Sequence, residues 1–209
     1  MSLQHLTEKT YLKFSKIEGN QHIASDYALK CVSRLIQDFQ LQQVLEVGIG
    51  IGCIADSVLE SYENIQYTAT EANAFCLNAI KKNITQIDRI KLYNDLKQIP
   101  QNTFFDFIII DGSDDSLAEV KRMCTPKTII FIEGGRALQV VSLKKIFPKV
   151  LHAEMLSDYK NPACGPFSTQ AWCGGGQLIF PYPNFKMRMY YLKEKWATYL
   201  KRKKRKANS

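Results

Sequence analysis

Short runs of apolar, β-prone residues recur along the chain and alternate with segments whose apolar residues repeat every three or four positions. The runs that predict strands are residues 44–48, 64–71, 90–94, 104–111 and 128–134. Residues 23–39 and 74–84 carry the helical spacing instead. Strands that are apolar nearly throughout and are separated by helices predict a parallel sheet with helices on both faces.

The pattern continues after the fifth predicted strand. Residues 136–147 predict a helix, and two strand-like runs follow at 150–156 and 177–183, joined by a loop rich in Pro, Gly and Cys. A chain of 209 residues suits one α/β domain. We divide it into an N-terminal helical cap (1–43), an α/β core (44–185) and a C-terminal extension (186–209).

The positive charge is concentrated in the extension. Residues 186–209 hold ten Lys or Arg and one acid, which gives this segment a charge of +9. The other residues hold 18 basic and 19 acidic side chains and carry −1, so the net charge of the chain is +8. Met189, Leu192, Trp196 and Tyr199 share one helical stripe, which is expected to dock on the body. The last nine residues, KRKKRKANS, have no apolar partner and are expected to be disordered. Basic and aromatic residues together leave a nucleic-acid tether open as an alternative.

The rest of the composition indicates a soluble, cytoplasmic protein. No apolar run is long enough to span a bilayer, and the N-terminus lacks the apolar stretch of a secretory signal. The six cysteines form no C-x-x-C pair and no zinc-type spacing with the three histidines, so free thiols are expected.

A glycine-rich turn follows the first predicted strand. In VLEVGIGIG the glycines are Gly48, Gly50 and Gly52, and the acid Glu46 precedes them. The dinucleotide fingerprint G-x-G-x-x-G needs its third glycine one residue later, which disfavours a pyrophosphate seat. The arrangement E-x-G-x-G-x-G after a strand resembles the first motif of class I S-adenosylmethionine (SAM) methyltransferases.

The resemblance implies a Rossmann-like, mostly parallel sheet of seven strands whose seventh strand is antiparallel, and SAM as the cofactor. It implies that Glu46, Gly48, Gly50 and Gly52 contact the methionine moiety and the ribose side of SAM. Glu71, at the end of the second strand, is expected to accept hydrogen bonds from both ribose hydroxyls. In resembling enzymes the position of Asp95 meets the adenine amino group and that of Leu96 packs on the ring, although a turn-forming Asn-Asp pair explains the same letters.

The fourth predicted strand ends in IIIDGSDD, which supplies the candidate catalytic bases Asp111 and Asp114. The sequence is not the (D/N)-P-P-(Y/F) signature of enzymes that methylate nucleobase or glutamine amide nitrogens. It resembles small-molecule O-methyltransferases of the macrocin and catechol type, so a small-molecule oxygen or nitrogen acceptor is expected. That family has an Asp-Asn pair after the fifth strand that can bind a divalent metal, whereas this chain has EGGR there, so no metal is predicted.

An alternative enzyme class uses the same fold. IIIDGSD also resembles the D-x-x-D of aminopropyltransferases such as spermidine synthase, in which two acids flank the amine that is alkylated. The G-G-G-D-G type of first motif is absent, and residues 1–43 are helical in pattern where that family has a small β domain. The aminopropyltransferase is therefore kept as the second enzyme hypothesis.

Overall fold

The fold is built on one seven-stranded sheet, seen in a computed structural model that describes residues 3–112 and 116–207. The strand order is β3-β2-β1-β4-β5-β7-β6, and β7 runs antiparallel to both of its neighbours. The strands are β1 Gln43–Val47, β2 Gln66–Thr70, β3 Ile90–Tyr93, β4 Phe105–Ile110, β5 Cys124–Glu133, β6 Leu151–Met155 and β7 Gly176–Phe180. This order and the antiparallel seventh strand confirm the fold class predicted from the sequence.

Helices cover both faces of the sheet. They are α1 Leu3–Phe14, α2 Asp26–Phe39, α3 Cys53–Ser61, α4 Ala74–Asn83, α5 Val120–Met123, α6 Ala137–Ile146 and α7 Phe185–Ala207. Helix α2 begins where the sequence supplies an N-cap, because the Ser25 side chain accepts a hydrogen bond from the Ala28 backbone N–H. The helical cap predicted for the N-terminus corresponds to α1 and α2.

Successive strand residues point to two separate apolar layers, as the pleat requires. Val44, Phe107 and Phe131 pack on one face, with α1 to α4 and α7. Leu45, Ile108 and Ile130 pack on the other face, with α5 and α6. Glu46 lies two residues after Val44, and its side chain is buried on the first face.

The C-terminal segment corrects two predictions. Residues 201–207 are not disordered, because α7 continues through them to Ala207, and Asn208 and Ser209 lie outside the described residues. Lys201 donates a hydrogen bond to the Tyr27 hydroxyl at 2.6 Å, and Arg205 donates to Ser157. The predicted stripe also faces away from the body, since Trp196 is 64% exposed. The sequence pattern does not reveal the polar contacts that fix the opposite face of α7 to the body.

All six cysteines are free thiols in the structure. Among the described residues, no helix is both long and apolar enough to cross a membrane.

Candidate active site

The glycine turn between β1 and α3 lies at the carboxyl edge of the sheet, where β1 and β4 adjoin. Gly48, Gly50 and Gly52 all have positive φ angles, of 80°, 55° and 95°. A Cβ on Gly48 would lie 2.6 Å from the Gly112 Cα, and one on Gly52 would lie 2.5 Å from the Ile84 side chain. Gly48 and Gly52 are therefore required by close packing.

Gly50 differs from the other two glycines. A Cβ built on it would meet no described atom within 4 Å, so the turn has an open side at this residue. The backbone N–H of Gly50 donates a hydrogen bond to Glu71 Oε2 at 2.9 Å. The turn therefore presents a bare stretch of backbone beside a fixed carboxylate.

The Glu71 carboxylate is held in place by three backbone N–H groups. Besides Gly50, the N–H groups of Ala72 and Asn73 donate to Oε1 at 3.0 and 2.8 Å. A carboxylate has about four acceptor sites, so these three hydrogen bonds leave about one of them unused. Glu71 is thus an ordered, half-buried acceptor at the end of β2, as the sequence predicts.

Glu46 is fully buried two residues before the glycine turn. Its Oε2 accepts a hydrogen bond from the Tyr67 hydroxyl at 2.7 Å, whereas Oε1 has no partner among the described residues. Burial raises the pKa of this carboxyl well above its usual range, and the nearby Asp111 raises it further. A buried acceptor without a partner is costly, so Oε1 is a candidate contact for a donor group.

A cluster of two acids and one arginine joins the ends of β4 and β5. Arg136 Nη2 lies 3.1 Å from Asp111 Oδ1 and 3.9 Å from Glu133 Oε2, and it also donates to the Asp111 carbonyl. Arg136 Nε donates to the Glu133 carbonyl at 3.1 Å. Burial raises the pKa of Asp111 well above its usual range, and Glu133 adds to the rise, while Arg136 opposes it.

Sequence reasoning missed the role of Glu133 and Arg136. In the sequence, the letters EGGR after β5 indicate only that a metal-binding Asp-Asn pair is absent. Arg136 reaches Asp111 across 25 residues of sequence, and that contact depends on the β4–β5 pairing. Within residues 3–112 and 116–207, no group of three His, Cys, Asp or Glu side chains is placed to hold a metal ion.

Two other predicted site residues lie at the turn after β3. Asp95 Oδ1 accepts hydrogen bonds from the backbone N–H groups of Lys97 and Gln98 and so caps a short 3-10 turn. Leu96 is fully buried against the second apolar layer. Asp95 thus caps a turn of the kind that the Asn-Asp pair in the sequence predicts. Asp114, the second candidate base, lies outside the described residues.

Two segments pass over this edge of the sheet. Gly19, between α1 and α2, rests on the glycine turn, since a Cβ there would lie 2.8 Å from the Phe75 ring and 2.9 Å from the Ile51 side chain. The loop 156–175 leaves β6 at the same edge, because Met155 and Glu133 both pair with Gly176. The glycine turn, the segment around Gly19 and both ends of the loop 156–175 therefore lie at one edge of the sheet.

Two solved structures share this architecture. One is an O-methyltransferase from Bacillus cereus in complex with SAH, with a TM-score of 0.61 and 15% identity, over 84% of this chain and 89% of that chain. The other is the O-methyltransferase TomG from Streptomyces achromogenes, involved in tomaymycin synthesis and in complex with SAM, with a TM-score of 0.62 and 10% identity, over 84% and 88%. The chain has the class I methyltransferase fold. No family profile matches its sequence, and no curated protein matches it in sequence.

Proposed function

We propose that the protein is an enzyme that transfers a methyl group from SAM to an oxygen or nitrogen atom of a small molecule. The observation that carries this proposal is the open side of Gly50 next to the fixed carboxylate of Glu71. The shared fold supports it, because ligands of open α/β sheets bind at this switch point between strands.

The residues at the turn suit the chemical groups of SAM. Glu71 would accept a hydrogen bond from the ribose hydroxyls, and bare backbone at Gly50 would allow close approach of the ligand. Glu46 Oε1 would accept from the ammonium group of the methionine part, which gives this buried oxygen the partner it lacks. Both Asp95 hydrogen bonds go to Oδ1, so Oδ2 is proposed to accept from the adenine amino group, with the buried Leu96 supporting the turn from below.

The acceptor is proposed to lie at the ends of β4 and β5. SAM supplies an electrophilic methyl group on a sulfonium, and most of the acceleration comes from orientation of the acceptor's lone pair. Asp111, kept close to Arg136, is proposed to take the proton of an acceptor hydroxyl or ammonium group. Asp114 is the second proposed base on the same loop. The loop 156–175 is proposed to cover the acceptor from the same edge of the sheet.

Calorimetric titration with SAM, decarboxylated SAM and NAD tests the cofactor. We expect SAM and its demethylated product to bind with micromolar affinity and NAD not to bind, because the glycine spacing lacks a pyrophosphate seat. Preferential binding of decarboxylated SAM would support the aminopropyltransferase hypothesis instead. Tighter binding of NAD than of SAM would overturn the cofactor assignment.

A further inference from the structure

The outward face of α7 carries a continuous apolar ridge. Its six side chains are each between 47% and 79% exposed, and we call them the outer ridge: Phe185, Met189, Leu192, Trp196, Tyr199 and Leu200. At a rise of about 1.5 Å per residue the ridge is roughly 22 Å long. Exposed apolar patches of this kind mark interaction sites on soluble domains.

The body fixes the direction in which the outer ridge points. The opposite face of α7 buries Met187, Tyr190, Glu194 and Thr198. The Glu194 carboxylate, buried on that face, pairs with Arg34 at 3.1 Å. The ridge therefore cannot turn inward without loss of this buried ion pair.

Cations line both sides of the outer ridge. With about 100° of rotation per residue, one flank carries Lys186, Lys193 and Lys204, and the other carries Arg188, Lys195, Arg202 and Lys206. Arg202 and Lys204 form ion pairs with Glu154 and Asp158 of the body. The acid of the helix sequence, Glu194, is on the buried face, so the outward half of α7 is strongly positive.

A cavity opens beside one flank, between β6 and α7. It measures about 340 Å³, and its lining includes Lys195 and Arg202 beside Glu154, the acid that pairs with Arg202. Lys195 leaves the recess with a net positive charge. The recess and the exposed apolar ridge beside it therefore match the two parts of a phospholipid, a charged headgroup and an acyl chain.

We propose that the outer ridge of α7 lies on the surface of an anionic lipid bilayer. Interfacial helices insert a face of Trp, Phe and Leu about 5–10 Å into the boundary between headgroups and acyl chains. The flanking Lys and Arg side chains reach outward to the lipid phosphates while their stems remain in the apolar zone. The body of the protein then takes the place that the polar face of a free amphipathic helix would occupy.

Two other occupants fit the outer ridge less well. Nucleic acid uses aromatic faces and cations, yet Met189, Leu192 and Leu200 are aliphatic and gain nothing by stacking on bases. A second copy would bring its own cations to the contact, and the outward half of α7 has no acid to balance them. A membrane supplies both an apolar layer and negative charge.

Co-sedimentation of the full chain with vesicles tests the proposal. We expect binding to vesicles of phosphatidylcholine and phosphatidylserine, little binding to phosphatidylcholine alone, and weaker binding at high salt. Leu192→Ser with Trp196→Ala should weaken binding at least tenfold by removal of inserted apolar groups. Lys193→Gln with Lys195→Gln should weaken it about twenty-five-fold, from a factor of roughly five per charge.

The matched control changes exposed apolar residues elsewhere. Leu138→Ser with Val141→Ala on α6 replaces side chains that are 82% and 49% exposed and should leave vesicle binding unchanged. All six substituted side chains are exposed, so melting temperatures should stay close to that of the original protein. In a Trp172→Phe background, Trp196 is the remaining tryptophan, and its fluorescence should shift to the blue with anionic vesicles.

Three results would overturn the proposal. The first is vesicle binding that the ridge and flank variants leave unchanged. The second is retention of a single-stranded RNA oligonucleotide, without vesicle binding, that those variants abolish. The third is a dimer in sedimentation velocity that the ridge variant dissociates, again without vesicle binding. SAM titration is independent of all three, so this proposal and the proposed function can fail separately.

Discussion

Glu71 has one observed contact and one proposed role: its carboxylate accepts a hydrogen bond from the Gly50 backbone N–H, and it is proposed to bind the ribose of SAM. Glu71→Ala should weaken SAM binding by about 1.5–3 kcal/mol, the range for loss of a charged hydrogen-bond acceptor. Isothermal titration measures the change. Glu63→Ala is the matched control, since Glu63 is an exposed acid away from the turn. Unchanged affinity in a folded Glu71→Ala protein would make Glu71 a purely structural residue.

Alanine substitutions at Gly50 and Gly52 should have different effects, the first mainly on SAM binding and the second on folding. An alanine at Gly50 puts its Cβ into open space, so Gly50→Ala should fold with a loss of about 1–2 kcal/mol from the left-handed backbone and bind SAM at least tenfold more weakly. An alanine at Gly52 meets Ile84 at 2.5 Å, so Gly52→Ala should lower the free energy of unfolding by about 1–3 kcal/mol or more.

Chemical denaturation and SAM titration of both glycine variants check this contrast. Unchanged SAM affinity in a folded Gly50→Ala protein would mean that the open side of Gly50 is not the cofactor seat.

Asp111 belongs to the chemical step in the proposed mechanism. Asp111→Asn removes a base, so turnover should fall by about 10²–10⁴ while the dissociation constant for SAM changes little. The measurement is formation of the demethylated cofactor with an acceptor found by screening phenols and amines, next to SAM titration of the same sample. The same comparison applies to Asp114→Asn. Loss of SAM affinity alone would move Asp111 into the cofactor site.

At the scale of elements, the sequence predicts what is encoded locally. The strands and α2 follow from apolar runs and helical spacing, and the positions of the glycines and Glu71 follow from where strands end. The direction of α7 could not be predicted in this way. Its buried face holds Glu194, which becomes compatible with burial only through Arg34, 160 residues earlier.

The order of the basic C-terminus has the same kind of origin. Residues 201–207 lack apolar partners in the sequence, but the fold places carbonyl groups, acids and an aromatic ring from the β6–β7 connection beside them. Arg205 donates to the Ser157 carbonyl and hydroxyl, both at 3.0 Å, and lies 5.1 Å from the centre of the Trp172 ring. Contacts between such distant segments leave no periodic signal in either one.

Arg205→Ala tests whether these contacts stabilise the protein. We expect the free energy of unfolding to fall by about 1–2 kcal/mol, because the hydrogen bonds to Ser157 and to the Cys173 carbonyl and the contact with the Trp172 ring are lost. Lys203→Ala is the control on the same helix, since Lys203 is exposed and lies over the equally exposed Tyr199. Urea denaturation of both variants gives the comparison. Equal stability of the two variants would mean that the contacts of Arg205 do not stabilise the protein.

At the scale of the whole molecule, buried carboxyls couple stability to pH. Burial raises the pKa values of Glu46, Asp111 and Glu133 above their usual range. The folded protein therefore binds more protons than the unfolded chain between the ordinary carboxyl pKa, about 4, and the raised values. Its free energy of unfolding should decrease as pH rises through that interval. His152 acts in the opposite sense near its ordinary pKa, because burial lowers its pKa.

The Glu46→Gln substitution isolates one of these groups from the others. The amide keeps an oxygen for the Tyr67 hydroxyl and cannot ionise, so the variant should lose less stability than the original protein as pH rises above the ordinary carboxyl pKa, about 4. In the original protein, SAM affinity should rise with pH, whereas the free energy of unfolding falls. If Glu46 binds the ammonium group as a carboxylate, affinity in the original protein rises with pH over this interval, and the variant shows neither the rise nor the tight binding. Denaturation and SAM titration across this pH range measure both effects. Parallel pH profiles together with equal SAM affinity of the two proteins would remove Glu46 from the cofactor site.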